Sequence, residues 1–181
     1  MSITKEKDFF NMNNQFLILP GDTIFDYDLL KEVFSIVSEN FTRINKYPFI
    51  FYRSIGFKPL KEIYNKKKLI SNAEIEKIGS KITLKRITKK KIEDIRSKEL
   101  VNQLIPIIVI SNENVKEILN LEQNVPLKTL WETLNHLTLN GKKIVCFKIK
   151  NEHQFYDIDS KYDLKKQKKK KRTIGAQINK V

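Results

Sequence analysis

Three aspartates carry the chemistry that can be read here: Asp22, directly after Gly21, and the pair Asp157 and Asp159 on either side of Ile158. Each group follows an apolar run, Phe16-Leu-Ile-Leu19 in the first case and Phe155-Tyr156 in the second. A carboxylate at the carboxyl end of a strand lies where open α/β sheets bind their ligands. It is also a hard oxygen donor, suited to Mg²⁺ that is shared with substrate phosphates. In an extended strand Asp157 and Asp159 point to the same side, with Ile158 turned into the core. Carboxylates gathered from distant strands repel one another unless a cation lies between them. The competing reading of Asp22 is a turn residue, because Asp beside Gly often bonds its own backbone.

Stepping along the chain gives the elements that must hold these groups. Phe16–Leu19, stopped by Pro20-Gly21, reads as a short, fully buried strand. Asp28 can cap a helix running to about Asn40, with Leu29, Leu30, Val33, Phe34 and Val37 at helical spacing. Phe49–Arg53 is a second strand, set off by a break at Asn45-Lys-Tyr-Pro48. The middle is less regular. Pro59–Tyr64 suits a short helix or a hairpin arm, and Ala73–Ile78 has weak helical spacing ended by Gly79-Ser80. Lys81–Ile87 alternates as a half-exposed strand, and Lys89-Lys-Lys91 leads into a charged helix through Ile92, Ile95 and Leu100. That lysine run is weighed as a solvated face ahead of a phosphate contact.

Leu104–Ile110 is a nearly continuous apolar run and a buried strand. Ser111 or Asn112 caps the next helix through Val115, Ile118 and Leu119. Pro126 opens another, with Leu127, Leu130, Trp131, Leu134 and Leu137 on one face and Asn140-Gly141 as its stop. Lys143–Ile149 is a strand, and Lys150–Gln154 a hairpin turn containing His153. Strand and helix alternate, which predicts an α/β fold whose mixed, mostly parallel sheet is flanked by helices. Residues 1–15 read as an irregular lead-in, 16–164 as the α/β domain and 165–181 as a basic, disordered tail.

Composition narrows the function classes. The chain has 181 residues, enough for one domain with a real core. Its single Cys146 lies in an apolar run, so neither a disulfide framework nor a cysteine zinc site exists within one chain. No apolar run approaches the ~18 residues of a membrane span, and no signal peptide is visible, so a reducing cytoplasm is expected. His136 and His153 lack histidine or cysteine partners at ligand spacing, and Trp131 reads as core. The net charge of +14 includes eight basic and no acidic residues between Lys165 and Val181, leaving +6 for the other 164 residues. Such a block can hold a phosphate backbone through salt-sensitive contacts, but specific recognition of nucleic acid is not expected.

Three segments resemble the sugar-phosphate nucleotidyltransferases and their molybdopterin-type relatives. Phe16-Leu-Ile-Leu-Pro-Gly-Asp-Thr-Ile-Phe25 is similar to the family's central strand with its Gly-Asp metal site. Pro106-Ile-Ile-Val-Ile-Ser111, followed by Val115 and Leu119, is similar to a late strand and helix. Leu130–Leu137, Gly141–Val145 and Phe155-Tyr-Asp-Ile-Asp-Ser-Lys-Tyr-Asp-Leu164 are similar to the family's ending, with Ser160 where threonine is usual. The resemblance implies a Rossmann-like, GT-A-like nucleotidyltransferase fold. It further implies Asp22 and Asp157 as the catalytic, Mg²⁺- or Mn²⁺-binding aspartates, and Asp159 as a supporting acid on the same metal. It covers the later two-thirds of such an enzyme. The glycine-rich loop and Lys-Pro pair that hold the triphosphate have no counterpart among the five scattered glycines.

The implied reaction moves a nucleoside monophosphate from a nucleoside triphosphate to a phosphorylated small-molecule acceptor, with release of pyrophosphate. Arg53, Lys58, Lys85 and Arg86 are equal candidates for holding the acceptor's phosphate. Two alternatives stand beside this reading. One is a non-catalytic α/β partner or remnant, completed by another chain or a second copy. The other is a basic protein binding nucleic acid through its lysine-rich tail.

Overall fold

A computed structural model of the chain describes residues 15–64, 68–124 and 129–157. Eight strands and five helices are defined among them. In chain order these are β1 (Gln15–Ile18), β2 (Thr23–Phe25), α1 (Tyr27–Glu39), α2 (Phe41–Ile44), β3 (Phe49–Gly56) and α3 (Phe57–Ile63). They continue as β4 (Leu69–Ile78), β5 (Lys81–Lys91), β6 (Leu100–Ser111), α4 (Asn112–Asn124), α5 (Leu130–Leu139), β7 (Val145–Lys148) and β8 (Phe155–Asp157). The larger sheet has the order β1-β6-β3-β7-β5-β4, and β2 pairs with β8 in a small second sheet.

Alternation along the two central strands explains the layers. Phe49 and Phe51 of β3, with Ile105, Ile107 and Val109 of β6, bury one face against Leu29 and Val33 of α1. Ile50 and Tyr52, with Leu104, Ile108 and Ile110, bury the other against Val115 and Ile118 of α4 and Leu134 and Leu137 of α5. A third cluster, around Leu60, Ile70, Ile92 and Val101, packs α3 against the end of the sheet. The β3–β6 register shifts between Ile50 and Phe51, whose partners are Ile108 and Ile105. Pro106 falls in that gap, where a residue without an N–H removes no ladder bond.

The fold class is the expected one, α/β with a mixed sheet flanked by helices, but the expected mostly parallel ladder is corrected. Only β3–β7 is parallel among the described pairings; β1–β6, β3–β6, β4–β5 and β5–β7 are antiparallel. The largest single reason is the segment read as weakly helical, Ala73–Ile78, which is strand β4. Gly79 adopts φ +62°, so Gly79-Ser80 makes a two-residue hairpin turn, and a hairpin is necessarily antiparallel. Lys89–Lys91 likewise belong to β5. The charged helix expected after them is a single 3₁₀ turn at Ile92–Asp94.

Other boundaries move for identifiable reasons. Gln15 is the first residue of β1, and β1 is a half-buried outer strand rather than a fully buried one, because β6 is its only partner among the described residues. Asp26, not Asp28, occupies the N-cap of α1, and Asp28 sits in the first turn, where a negative charge suits the helix dipole. Phe34 is 53% exposed rather than core. Helix α5 starts at Leu130, closed by a capping box between Thr129 and Glu132; Pro126 and Leu127 lie outside the described residues. Asn140 and Gly141, the latter at φ +81°, end it as expected. His153 is buried, with Nε2 2.6 Å from Glu32 Oε2. The turn before it joins no hairpin, since β7 lies in the large sheet and β8 in the small one. Asp159, Ser160 and the basic tail lie outside the described residues. Among the described residues no helix is long and apolar enough to cross a membrane.

Candidate functional site

Strands β2 and β8 are the elements that bring the two ends of the sequence together. Thr23 stands opposite Asp157 and Phe25 opposite Phe155. The pairing continues one step further, where Asp26 N donates to Gln154 O at 3.0 Å and Gln154 N to Asp26 Oδ2 at 3.3 Å. Asp22 precedes Thr23 in the exposed turn after β1. Residues 134 apart in sequence thus share one edge: the Thr23 hydroxyl donates to Asp157 Oδ1 at 3.1 Å.

A cavity of about 300 Å³ opens at this edge, and both Asp22 and Asp157 line it. Pro20 and Thr23 contribute the loop between the first two strands, Phe155 the base of β8, and Gln103, Leu104 and Pro106 the wall formed by β6. Two ammonium groups reach it, Lys68 from the approach to β4 and Lys89 from β5. Lys68 Nζ is 3.7 Å from Asp157 Oδ2. Lys89 Nζ donates to Ser71 Oγ at 2.7 Å. Burial lowers the Lys89 pKa, the Asp157 carboxylate raises it and the Lys68 charge lowers it again. Trp131 and Tyr64 add aromatic surface.

Behind the cavity lies a buried cation. Arg53 is 1% exposed although it sits mid-strand in β3. Its Nε donates to Gln103 Oε1 at 2.9 Å, its Nη1 donates to the His153 carbonyl, and its guanidinium carbon is 5.3 Å from the centre of the Phe155 ring. Gln103 Nε2 in turn donates to the Tyr64 hydroxyl at 3.0 Å. Arg53 therefore anchors both the β6 wall and the start of β8, the strand that carries Asp157.

The expected cations are redistributed by this geometry. Arg53, Lys58, Lys85 and Arg86 do not line the cavity; Arg53 lies behind it, and Arg86 is tied to Glu74 at 2.6 Å on the far part of the hairpin. Lys68 and Lys89 take their place. Lys89 belongs to a run weighed mainly as a solvated face; it is exposed, and its position in β5 brings it to the cavity's rim. Trp131, read as core, packs on the core and also faces the cavity. Gln103 left a trace in the sequence as one amide just before an apolar strand; Tyr64 and Lys68 left none.

Asp22 and Asp157 are the carboxylates of the cavity that could hold a cation. Two carboxylates line the cavity, and among the described residues no group of three or more His, Cys, Asp or Glu gathers to hold a metal. Mg²⁺ is commonly held in this way, by one or two carboxylates plus phosphate oxygens and water.

No family model and no curated protein matches the sequence. Solved structures do match. The chain is similar to a UDP-glucose pyrophosphorylase in its apo form, with a TM-score of 0.56 and 16% identity over 89% of this chain and 54% of that one. A UTP-bound UGPase from Acinetobacter baumannii matches at 0.55 and 16%, over 88% and 51% of the two chains. The inositol-1-phosphate CTP transferase from T. maritima matches at 0.53 and 15%, over 87% and 54%. At these identities the likeness concerns the backbone, and it spans about half the length of the matched structures. Over that half, the chain has the fold of these nucleotidyltransferases.

Proposed function

We propose that the chain forms the acceptor and metal side of a nucleotidyltransferase, which passes a nucleoside monophosphate from a nucleoside triphosphate to a phosphorylated small molecule. The observation that carries this reading is the meeting of Asp22 and Asp157 at one cavity that Lys68 and Lys89 also line, within that fold. Asp22 and Asp157 would hold Mg²⁺ or Mn²⁺, with Asp159 as a further acid. The cation would supply charge for the phosphates and for the transition state. Lys68 and Lys89 bind and orient the acceptor's phosphate as point charges. Thr23 fixes the Asp157 carboxylate through its hydroxyl. In the reaction an acceptor phosphate oxygen bonds to the α-phosphorus as the bond to pyrophosphate breaks. We place this activity in the cytoplasm, where the triphosphates are.

The test is Mg²⁺-dependent pyrophosphate release from the four common nucleoside triphosphates, offered with glucose 1-phosphate or inositol 1-phosphate. Asp22→Asn should abolish turnover while the melting curve stays in place. Turnover retained in Asp22→Asn would remove the metal assignment. A second reading is a non-catalytic module that pairs with another chain or a second copy. Its signature is binding of a phosphorylated ligand without turnover.

A further inference from the structure

The hydroxyl of Tyr64 accepts a hydrogen bond from Gln103, while Arg53, Asp157 and Lys68 act on it through charge. Gln103 uses its carbonyl oxygen Oε1 to accept from Arg53 Nε, a group that can only donate. The amide is thereby locked with Nε2 toward Tyr64, and it donates to the Tyr64 oxygen. The nearby Arg53 guanidinium is also a donor only. Neither Gln103 nor Arg53 can accept the phenolic proton, and among the described residues Asp157, whose oxygens meet Thr23 and Lys68, acts on it through charge alone. Burial, and to a lesser degree the Asp157 carboxylate, raise the Tyr64 pKa above 10.0 against the lowering by the Gln103 hydrogen bond and the Arg53 and Lys68 charges, so at neutral pH the proton is in place. The side chain lines the cavity together with Lys68, Lys89 and Gln103.

We propose that Tyr64 is a ligand-binding residue whose hydroxyl donates a hydrogen bond to a phosphoryl oxygen in the cavity, its proton aimed there by the buried Arg53–Gln103 pair. Arg53 and Gln103 are positioning residues in this scheme. An oxygen acceptor is favoured because the Tyr64 hydroxyl, the Gln103 amide and the Lys68 and Lys89 ammonium groups all line the cavity as donors, while the Asp157 carboxylate beside them is engaged by Thr23 and Lys68. A buried donor left without a partner costs free energy, so a ligand rich in negative oxygen is selected over one presenting donors. The inference rests on the reading of the cavity given above and adds a residue and a preference to it.

The experiment uses the emission of Trp131, the chain's single tryptophan and part of the cavity wall, to follow binding. The probes are inorganic phosphate, glucose 1-phosphate and inositol 1-phosphate, each with Mg²⁺. Tyr64→Phe should weaken binding about tenfold, the loss expected for one hydrogen bond to a charged group, with unchanged melting. Gln103→Glu supplies the readout that a structural role would not move. Its carboxylate still accepts from Arg53 but accepts from Tyr64 as well, which turns the phenolic proton away from the ligand. In the Gln103→Glu background, then, Tyr64→Phe should change affinity by less than about twofold. Equal binding by wild type and Tyr64→Phe, with Asp22→Asn still impaired, overturns the role of Tyr64 and leaves the cavity reading standing. Binding of none of the three probes by the wild-type chain brings down both.

Discussion

From Leu104 to Ile110, strand β6 buries apolar side chains on both faces, whereas at Asn102 and Gln103 the same strand turns amides toward buried partners. The apolar part is held by area and shape. Its partners, Phe49, Phe51 and Ile50 across β3, are interchangeable in kind, and the contacts have no direction beyond close packing. The polar part is held by direction. Asn102 N donates to Asn72 Oδ1, Gln103 spans Arg53 and Tyr64, and each group has one orientation that satisfies the rest. The first region gives the sheet its stability. The second, through Gln103 at the cavity wall, fixes where hydrogen-bond donors point, which packing alone cannot do.

The comparison can be broken most severely from the apolar side. Phe51→Ala removes a fully buried ring and should cost about 3–5 kcal/mol in urea unfolding, with ligand affinity of the surviving folded fraction unchanged. A loss below about 1 kcal/mol would mean that the β3–β6 spine is not the main support. Arg53→Met keeps the side chain's bulk beside Phe155 but leaves Gln103 Oε1 and the His153 carbonyl without their donors. It should cost about 2–4 kcal/mol and also weaken binding at the cavity, because both walls lose their common anchor. Stability and binding should thus fall together for Arg53→Met, and stability alone for Phe51→Ala; binding spared in Arg53→Met would show the polar region to be ordinary core.

Smaller effects sharpen the same contrast. Thr129→Ala removes the capping box of α5, remote from the polar region, and should cost about 1 kcal/mol in thermal or urea unfolding. Lys89→Met tests the electrostatics. Burial lowers the Lys89 pKa below the 10.5 of the unfolded chain, so the folded state binds that proton less tightly. Stability then rises with pH between the lowered value and 10.5, and the charged lysine costs stability below that window. Unfolding curves should show this rise in the wild type and a weaker one in Lys89→Met; parallel pH profiles would refute the shift. The least change of all is expected at Cys146. Its buried thiol is pushed up to about 12, so an alkylating reagent should leave it untouched until the chain unfolds.

Legibility in the sequence follows the same division. Apolar runs are visible because a buried strand needs several large side chains in succession. Phe49–Arg53 and Leu104–Ile110 accordingly fell within β3 and β6, and the face Leu134 and Leu137 within α5. The hairpin β4–β5 was half hidden. Glu74, Glu76 and Lys77 interrupt its apolar residues, and at that spacing a twisted, half-exposed strand looks like a weak helix. The edge that joins Asp22 to Asp157 was anticipated from residue type and position, but its cations were not. Nothing local distinguishes Lys68 from Lys58, since lysine occurs along the whole chain and only the path of the backbone decides which one faces inward.

The sequence by itself determined the apolar strands of the central sheet, the helices α1, α4 and α5 that cover it, the Asn140-Gly141 end of α5 and the positions of Asp22 and Asp157. All of these depend on periodicity, on glycine and proline, or on charge within a few residues. The tertiary structure alone decided the antiparallel return of β4 and β5, the β2–β8 pairing and the burial of Arg53. It also decided the union of Asp22, Lys68, Lys89 and Asp157 at one cavity. Those features join residues as far apart as Asp22 and Asp157, and contacts of that range are selected by how whole elements pack rather than by any local preference of the chain.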